Sequence, residues 1–398
     1  MRSSFIFWFI LLYIPFGCIL YYLDLGFLRL QYYDEICTLL LLLYTLLQRS
    51  NKLCFPKEFS IFLCVVLFYF LYSIIWRGLG LNVVLYDLQQ QVKPYIIFYC
   101  IWNLKPSFSL RQCKILKNVT IFSTSFLILS FLVTGASIES TYLFDMRGQE
   151  FATTSLSCGM LFYSMSRKKN NDKVIFALML AVGLLGGKSK MFAETFVILL
   201  ILFFVKEKMK LVSIKSFFIC LVLFVGAILV TWVKFDQYYV TGISDESLAR
   251  PMMYKTGYLI FRDYFPFGSG FGTFATEASR VYYSSLYGKY ELWGIWGLKD
   301  GEASFAADTF YPSIAQFGII GLFIFISFWR KRFLEFSADS LERYKIGLFV
   351  AIALLGDAIA DSTYVSNRGV MMWIVLGLLV SGSIKKVDNI YNKGFLIK

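Results

Sequence analysis

Two sets of residues in this chain are of types that do chemistry together. Arg77, Arg147, Lys188, Lys190, Arg250, Lys255, Arg262, Arg280 and Arg368 stand apart from the dense Lys/Arg clusters, and Glu277, Glu302, Asp308, Asp357 and Asp361 fall close to them in sequence or in the expected topology. Guanidinium and ammonium groups converging on one spot make charge-assisted hydrogen bonds to the oxygens of a diphosphate. A carboxylate beside them can take the proton of an attacking hydroxyl. Histidine is absent, which removes the commonest general base and metal ligand and leaves carboxylates, Lys, Arg and Tyr for any chemistry. Each cation alone has a plainer reading, a long side chain reaching lipid phosphates from a helix end. Lys188 and Lys190, in "GGKSK", crowd one short hairpin whose glycines let backbone approach closely. Asp357 and Asp361 are four apart and share a helix face. They serve the site, serve a proton-coupled transporter, or pair with one of the cations.

The elements that must position these groups are apolar. The chain is 58% hydrophobic with a mean hydropathy of +0.64, and runs of membrane-spanning length recur along it. They predict an all-α polytopic membrane protein, a single membrane domain over 1–398. About twelve spans are expected, at 5–23, 32–47, 59–76, 83–102, 119–133, 151–165, 174–186, 191–205, 217–233, 310–329, 346–363 and 370–384. The fourth is interrupted by Asp87, Gln89, Gln90, Gln91 and Lys93-Pro94. The first follows Arg2 without a small-residue cleavage site and reads as a retained anchor.

Cationic clusters around Arg49–Lys57, Lys105–Lys117, Arg167–Lys173, Lys206–Lys215, Arg330–Arg332 and Lys385–Lys398 occupy every second connection. The positive-inside rule assigns these to the cytoplasm, with both termini, and places the long loop 234–305 outside. Net charge of +13 then answers to topology and anionic inner-leaflet lipid, so no nucleic acid partner is implied. The eight cysteines lack CxxC spacing and point to neither a disulfide framework nor a metal site.

Inside that loop, "FRDYFPFGSGFG" (261–272) crowds three glycines and a proline. A nucleotide-binding glycine loop needs a preceding strand and a βαβ unit, and neither pattern is present. The segment reads as a tight turn that brings backbone close to a ligand or a neighbouring helix, with Phe265, Phe267 and Phe271 toward the membrane. Asp263 is expected to pair with Arg262 or Lys255. Downstream, "RVYYSSLYGKYELWGIWGL" (280–298) is an interfacial aromatic segment or a platform for sugar rings.

The stretch 250–272, "RPMMYKTGYLIFRDYFPFGSGFG", with 308–325, "DTFYPSIAQFGIIGLFIF", and the hairpin "GGKSKMFAETFVILL" resembles the bacterial O-antigen polymerase and O-antigen ligase superfamily. There, an Arg and an amphipathic helix lead to a Pro and a Gly-x-Gly turn, and a polar residue precedes a Gly-x-x-Gly-Leu entry into the next span. The family's usual Ser-Arg is Ser189-Lys190 here, and Asp308 stands where ligases carry a His, which favours polymerase over ligase. The resemblance implies a multi-pass protein of the bacterial inner membrane with its site facing the periplasm. It would join undecaprenyl-diphosphate-linked oligosaccharides, using no cofactor or metal, among membrane lipids and alongside a chain-length regulator and a flippase. Arg147, Lys188, Lys190 and Arg250 would hold the diphosphate, with Arg250 also stabilising the departing charge. Asp308 first and Glu302 second would be the base, with Asp357, Asp361, Arg262 and Arg368 in support. The alternatives are an O-antigen ligase, a flippase for lipid-linked oligosaccharide, which would place its key residues at mid-membrane and divide into repeats, and a non-catalytic assembly partner.

Overall fold

In hydrocarbon every backbone N–H and C=O must find its partner within the segment, which makes apolar runs helical. The computed structural model describes residues 2–22, 30, 32–48, 56–133, 148–208, 214–241 and 247–393, and among them there are helices and turns but no strand. Each of the twelve apolar segments is largely helical where described. Their number as crossings is smaller than expected. Among the described residues three helices are long and apolar enough to cross a membrane, Lys57–Trp76, Leu110–Val133 and Tyr311–Ala338. The count rises to five if the bent pairs Leu221–Val230 with Trp232–Tyr238 and Asn367–Val380 with Ser383–Tyr391 are each one span. The shortfall has a physical cause. Asn170–Leu184 and Ser189–Phe204 have 15 and 16 residues, short of the ~20 that span a bilayer. The expected eleventh span is divided into Leu341–Ala351, a π-helical turn Ile352–Gly356 and the single turn Asp357–Ala360.

Val370–Val380 is apolar on every side, and its side chains from Val370 to Leu379 are buried, as befits a helix at the centre of a bundle. It lies on the second half of Leu81–Leu104, where Gly377 lets the two backbones meet beside Ile101 and Phe98. Trp373 is fully buried among Tyr95, Phe328, Trp329 and Tyr364. The polar residues of the fourth segment do not break it: Leu81–Leu104 is one helix with Pro94 inside.

The bundle has two unlike ends. At one, the cation-rich connections meet: Lys168 and Arg343 bind Asp388, Lys173 binds Glu342 at 3.1 Å, and Lys386 donates to the Lys105 carbonyl at 3.2 Å. At the other, residues 249–315 form a layer with its own apolar core, including Met253, Ile260, Phe274, Tyr287 and Leu298. Its helix Ala249–Asp263 rests on the turn Tyr311–Phe317, with Gly257 against Pro312.

Candidate functional site

The glycine turn fastens this layer to the bundle. Residues 268–276 are all buried. The N–H of Phe271 donates to Ser73 Oγ at 2.8 Å, that of Gly272 to Asp87 at 2.6 Å, and that of Gly270 to the Gln316 carbonyl at 2.9 Å. Gln316 in turn accepts from the Thr273 and Phe274 N–H groups and donates to Asp87 at 3.2 Å. Arg77 caps the turn by donating to the Ser269 carbonyl at 3.1 Å. Gly270 has φ +94, and a Cβ there would stand 2.9 Å from Ser73 Oγ; Gly272, at φ +72, would meet Val83 at 2.6 Å. Only glycine takes these conformations this close to another helix. The segment's role is positional, as its composition predicts. Of its phenylalanines, Phe271 is buried against Tyr69 and Phe317, Phe267 lies at the surface with its ring against Phe68 and Tyr72, and Phe265 is exposed.

With the layer fixed, its charges meet those of the bundle. Arg250, near the start of its helix, is ion-paired with Asp308, donates to the Ala360 carbonyl at 3.3 Å, and lies over the Tyr238 ring. One turn away, Lys190 lies 2.7 Å from Asp357 and 2.6 Å from Asp361. Asp361 also binds Arg368, which reaches Glu150 at 3.1 Å. Asp361 follows the single turn Asp357–Ala360 in extended backbone, so the two aspartates do not share a helix face as their spacing predicts, yet together they meet both cations. The expected diphosphate cations Arg250 and Lys190 are near one segment, 357–361, and each is paired with a carboxylate.

Other expected site residues lie elsewhere. Glu302 is exposed on a turn at 299–304, and Arg262 is exposed and paired with Asp263 at 2.9 Å. Hydrogen bonds from Arg262 and Tyr290 hold the Asp263 carboxyl below its ordinary range. Lys188 is exposed, and its hairpin neighbour Gly186 lies against Gly148. Arg147 lies outside the described residues. In the aromatic segment Tyr287 is buried and donates or accepts at Ser279, whereas Trp293 and Trp296 stand outward.

Alongside the charge chain is a polar cavity of about 310 Å³, which no residue pattern announced. Ala307 and Thr309, either side of Asp308, form part of its wall, with Arg368 and Glu150 on another and Thr276 and Glu277 from the layer. Its remaining wall is the interrupted fourth segment: Gln90, Gln91 and Lys93, with Asp34 and Glu35 from the start of Tyr33–Leu47. Lys93 is ion-paired with Asp34 and lies 3.3 Å from Glu35. The sequence marked this stretch only as a polar interruption: Gln90, Gln91 and Lys93 line the cavity, while Asp87 turns to the glycine segment and Gln316. Among the described residues no group of His, Cys, Asp and Glu is arranged to hold a metal. Comparison of the chain with protein-family models and with curated proteins finds no match.

Proposed function

We propose that this protein is a membrane glycosyltransferase of the O-antigen polymerase kind, joining undecaprenyl-diphosphate-linked oligosaccharide units on the periplasmic face of a bacterial inner membrane. The observation that supports the reading is the charge cluster in which Arg250 pairs with Asp308 and Lys190 with Asp357 and Asp361, beside a polar cavity whose wall includes Arg368 and the neighbours of Asp308, Ala307 and Thr309. In this mechanism an acceptor hydroxyl gives its proton to Asp308 as its oxygen bonds to the anomeric carbon of the donor. The bond from that carbon to the diphosphate breaks, and the departing charge is held by Arg250 and Lys190, together with Lys188 and Arg147. Arg250 and Asp308 are partners in the resting protein. Donor binding therefore exchanges Asp308 for phosphate oxygens around Arg250, which frees the carboxylate to act as base. Glu302, on its exposed turn, is the weaker candidate. The orientation belongs to the proposal too: both termini cytoplasmic and the 234–305 loop outside, resting on the charge alternation.

A second reading, a flippase for lipid-linked oligosaccharide, is favoured by one observation: Lys93, Asp34 and Glu35 place charge deep along a bundle helix. The surface polysaccharide of a deletion strain separates these readings. Loss of a polymerase leaves single capped units, loss of a ligase leaves uncapped lipid-linked polymer, and loss of a flippase leaves units trapped inside. Reporter fusions at Lys169 and Lys208 are expected to read cytoplasm and one at Tyr287 periplasm; a cytoplasmic Tyr287 would overturn the outward site.

A further inference from the structure

We propose that the end of the cavity formed by Asp34, Glu35 and Lys93 is a binding site for a neutral, hydroxyl-bearing sugar residue, separate from the cations assigned to the diphosphate. The inference rests on the glycan-handling reading and names which part of the substrate this wall takes. Lys93 lies about 18 Å along its helix from Leu81, at ~1.5 Å per residue. One carboxylate suffices to neutralise an ammonium, as Asp172 does for the partly buried Lys117. Lys93 has two, and the arrangement leaves acceptor capacity over: Asp34 is 1% exposed, yet its Oδ1 accepts from no N–H or hydroxyl donor among the described residues, and neither does Glu35 Oε2, the two carboxyls having only each other. Buried acceptors left unpaired are costly, so a site that keeps them is built for a donor that arrives with the ligand. The ammonium already occupies the place between the carboxylates, which leaves no room there for a second cation and selects neutral donors such as sugar hydroxyls. Gln90 beside them both donates and accepts, as vicinal hydroxyls require.

Charge decides what stays out. The wall carries Asp34, Glu35, Glu150 and Glu277 against Lys93 and Arg368, with Arg280 pairing Glu277 from beside it, a small negative balance that disfavours a diphosphate or a uronic acid. Its volume, about 310 Å³, is at the lower end of the roughly 300–1,000 Å³ of small-molecule pockets. It fits the end of a glycan rather than a long stretch. The lipid-linked diphosphate remains outside while the sugar end enters.

The test is binding without catalysis. Full-length protein in lipid nanodiscs is presented to an array of lipid-free oligosaccharides, neutral and uronic-acid-bearing. Retention of neutral members is expected, with uronic-acid members retained at least tenfold less. Asp34→Asn and Gln90→Ala should each lower retention at least tenfold, and Asp263→Asn, at the surface, should leave it unchanged. Gln90→Ala breaks no ion pair, so its result stands even if Asp34→Asn fails to fold. No retention by the wild type, or equal retention by folded Gln90→Ala, overturns the site. Retention with the expected pattern in a protein whose deletion leaves polymer intact upholds this site and removes the polymerase reading instead.

Discussion

Arg332 and Lys93 are both buried cations facing two carboxylates, at opposite ends of the bundle. Arg332 is fully buried, 3.1 Å from Glu58 and 3.3 Å from Glu335, and its guanidinium is enclosed by the rings of Phe98, Trp102 and Phe328 at 5.0 to 5.3 Å. Those ring faces satisfy the parts of the cation that the carboxylates leave uncovered. Lys93 has no such enclosure and faces a polar cavity with carboxylate oxygens unpaired beside it. The difference teaches that charge burial alone does not mark a site. Arg332 Nε and Nη1 have no hydrogen-bond partner among the described residues either, but ring faces close over them. A charge closed over by rings holds helices together, whereas one open to a cavity keeps capacity for something else.

The sharpest way to break this contrast is at the open end. Asp308→Asn should reduce polymer formation by on the order of 10²–10⁴-fold, the usual share of a general base, while Glu302→Gln stays near wild type. Polymer quantity normalised to membrane-inserted protein checks both, and comparable losses would dissolve the distinction between the two carboxylates. Arg332→Met tests the closed end. Removing one partner of a buried pair costs about 3–5 kcal/mol, and the partial exposure of Glu58 and Glu335 places this case at the lower figure. Thermal unfolding in detergent should record that loss while activity per folded molecule holds; the opposite pattern would give Arg332 a role in function.

Smaller effects sharpen the comparison. Gly270→Val forces a branched side chain into a conformation that costs of order 1–3 kcal/mol and presses it on Ser73. The 249–315 layer should loosen, read as faster limited proteolysis and reduced polymer. Gly288→Val, where a Cβ meets nothing within 4 Å, should be silent in both assays. Asp263→Asn should be the mildest: its partners Arg262 and Tyr290 are at the surface, and neither polymer length nor melting temperature should move measurably.

Much of the fold was legible because apolar runs dictate helices wherever backbone must satisfy itself. The positional role of residues 261–272 was legible for a similar reason, since glycines and a proline in an apolar chain have little use except geometry. The pairing of Asp357 and Asp361 with cations was among the outcomes expected, although the shared helix face was not formed. The length of each crossing was not legible. Hydropathy does not reveal where a π-helical turn or a sharp bend, such as the 70° one after Val380, ends a straight helix.

By itself, the sequence determined an all-helical, membrane-type chain, the absence of histidine chemistry, and the set of cations and carboxylates from which a site could be drawn. Only the tertiary structure decided which of them meet. Asp34 and Lys93 are 59 residues apart and Arg250 and Asp308 are 58 apart, and no local rule links such positions. Helix propensity and hydropathy act over a few turns, whereas the partner of a buried charge is selected by packing the whole bundle, because desolvation makes every unpaired alternative too costly.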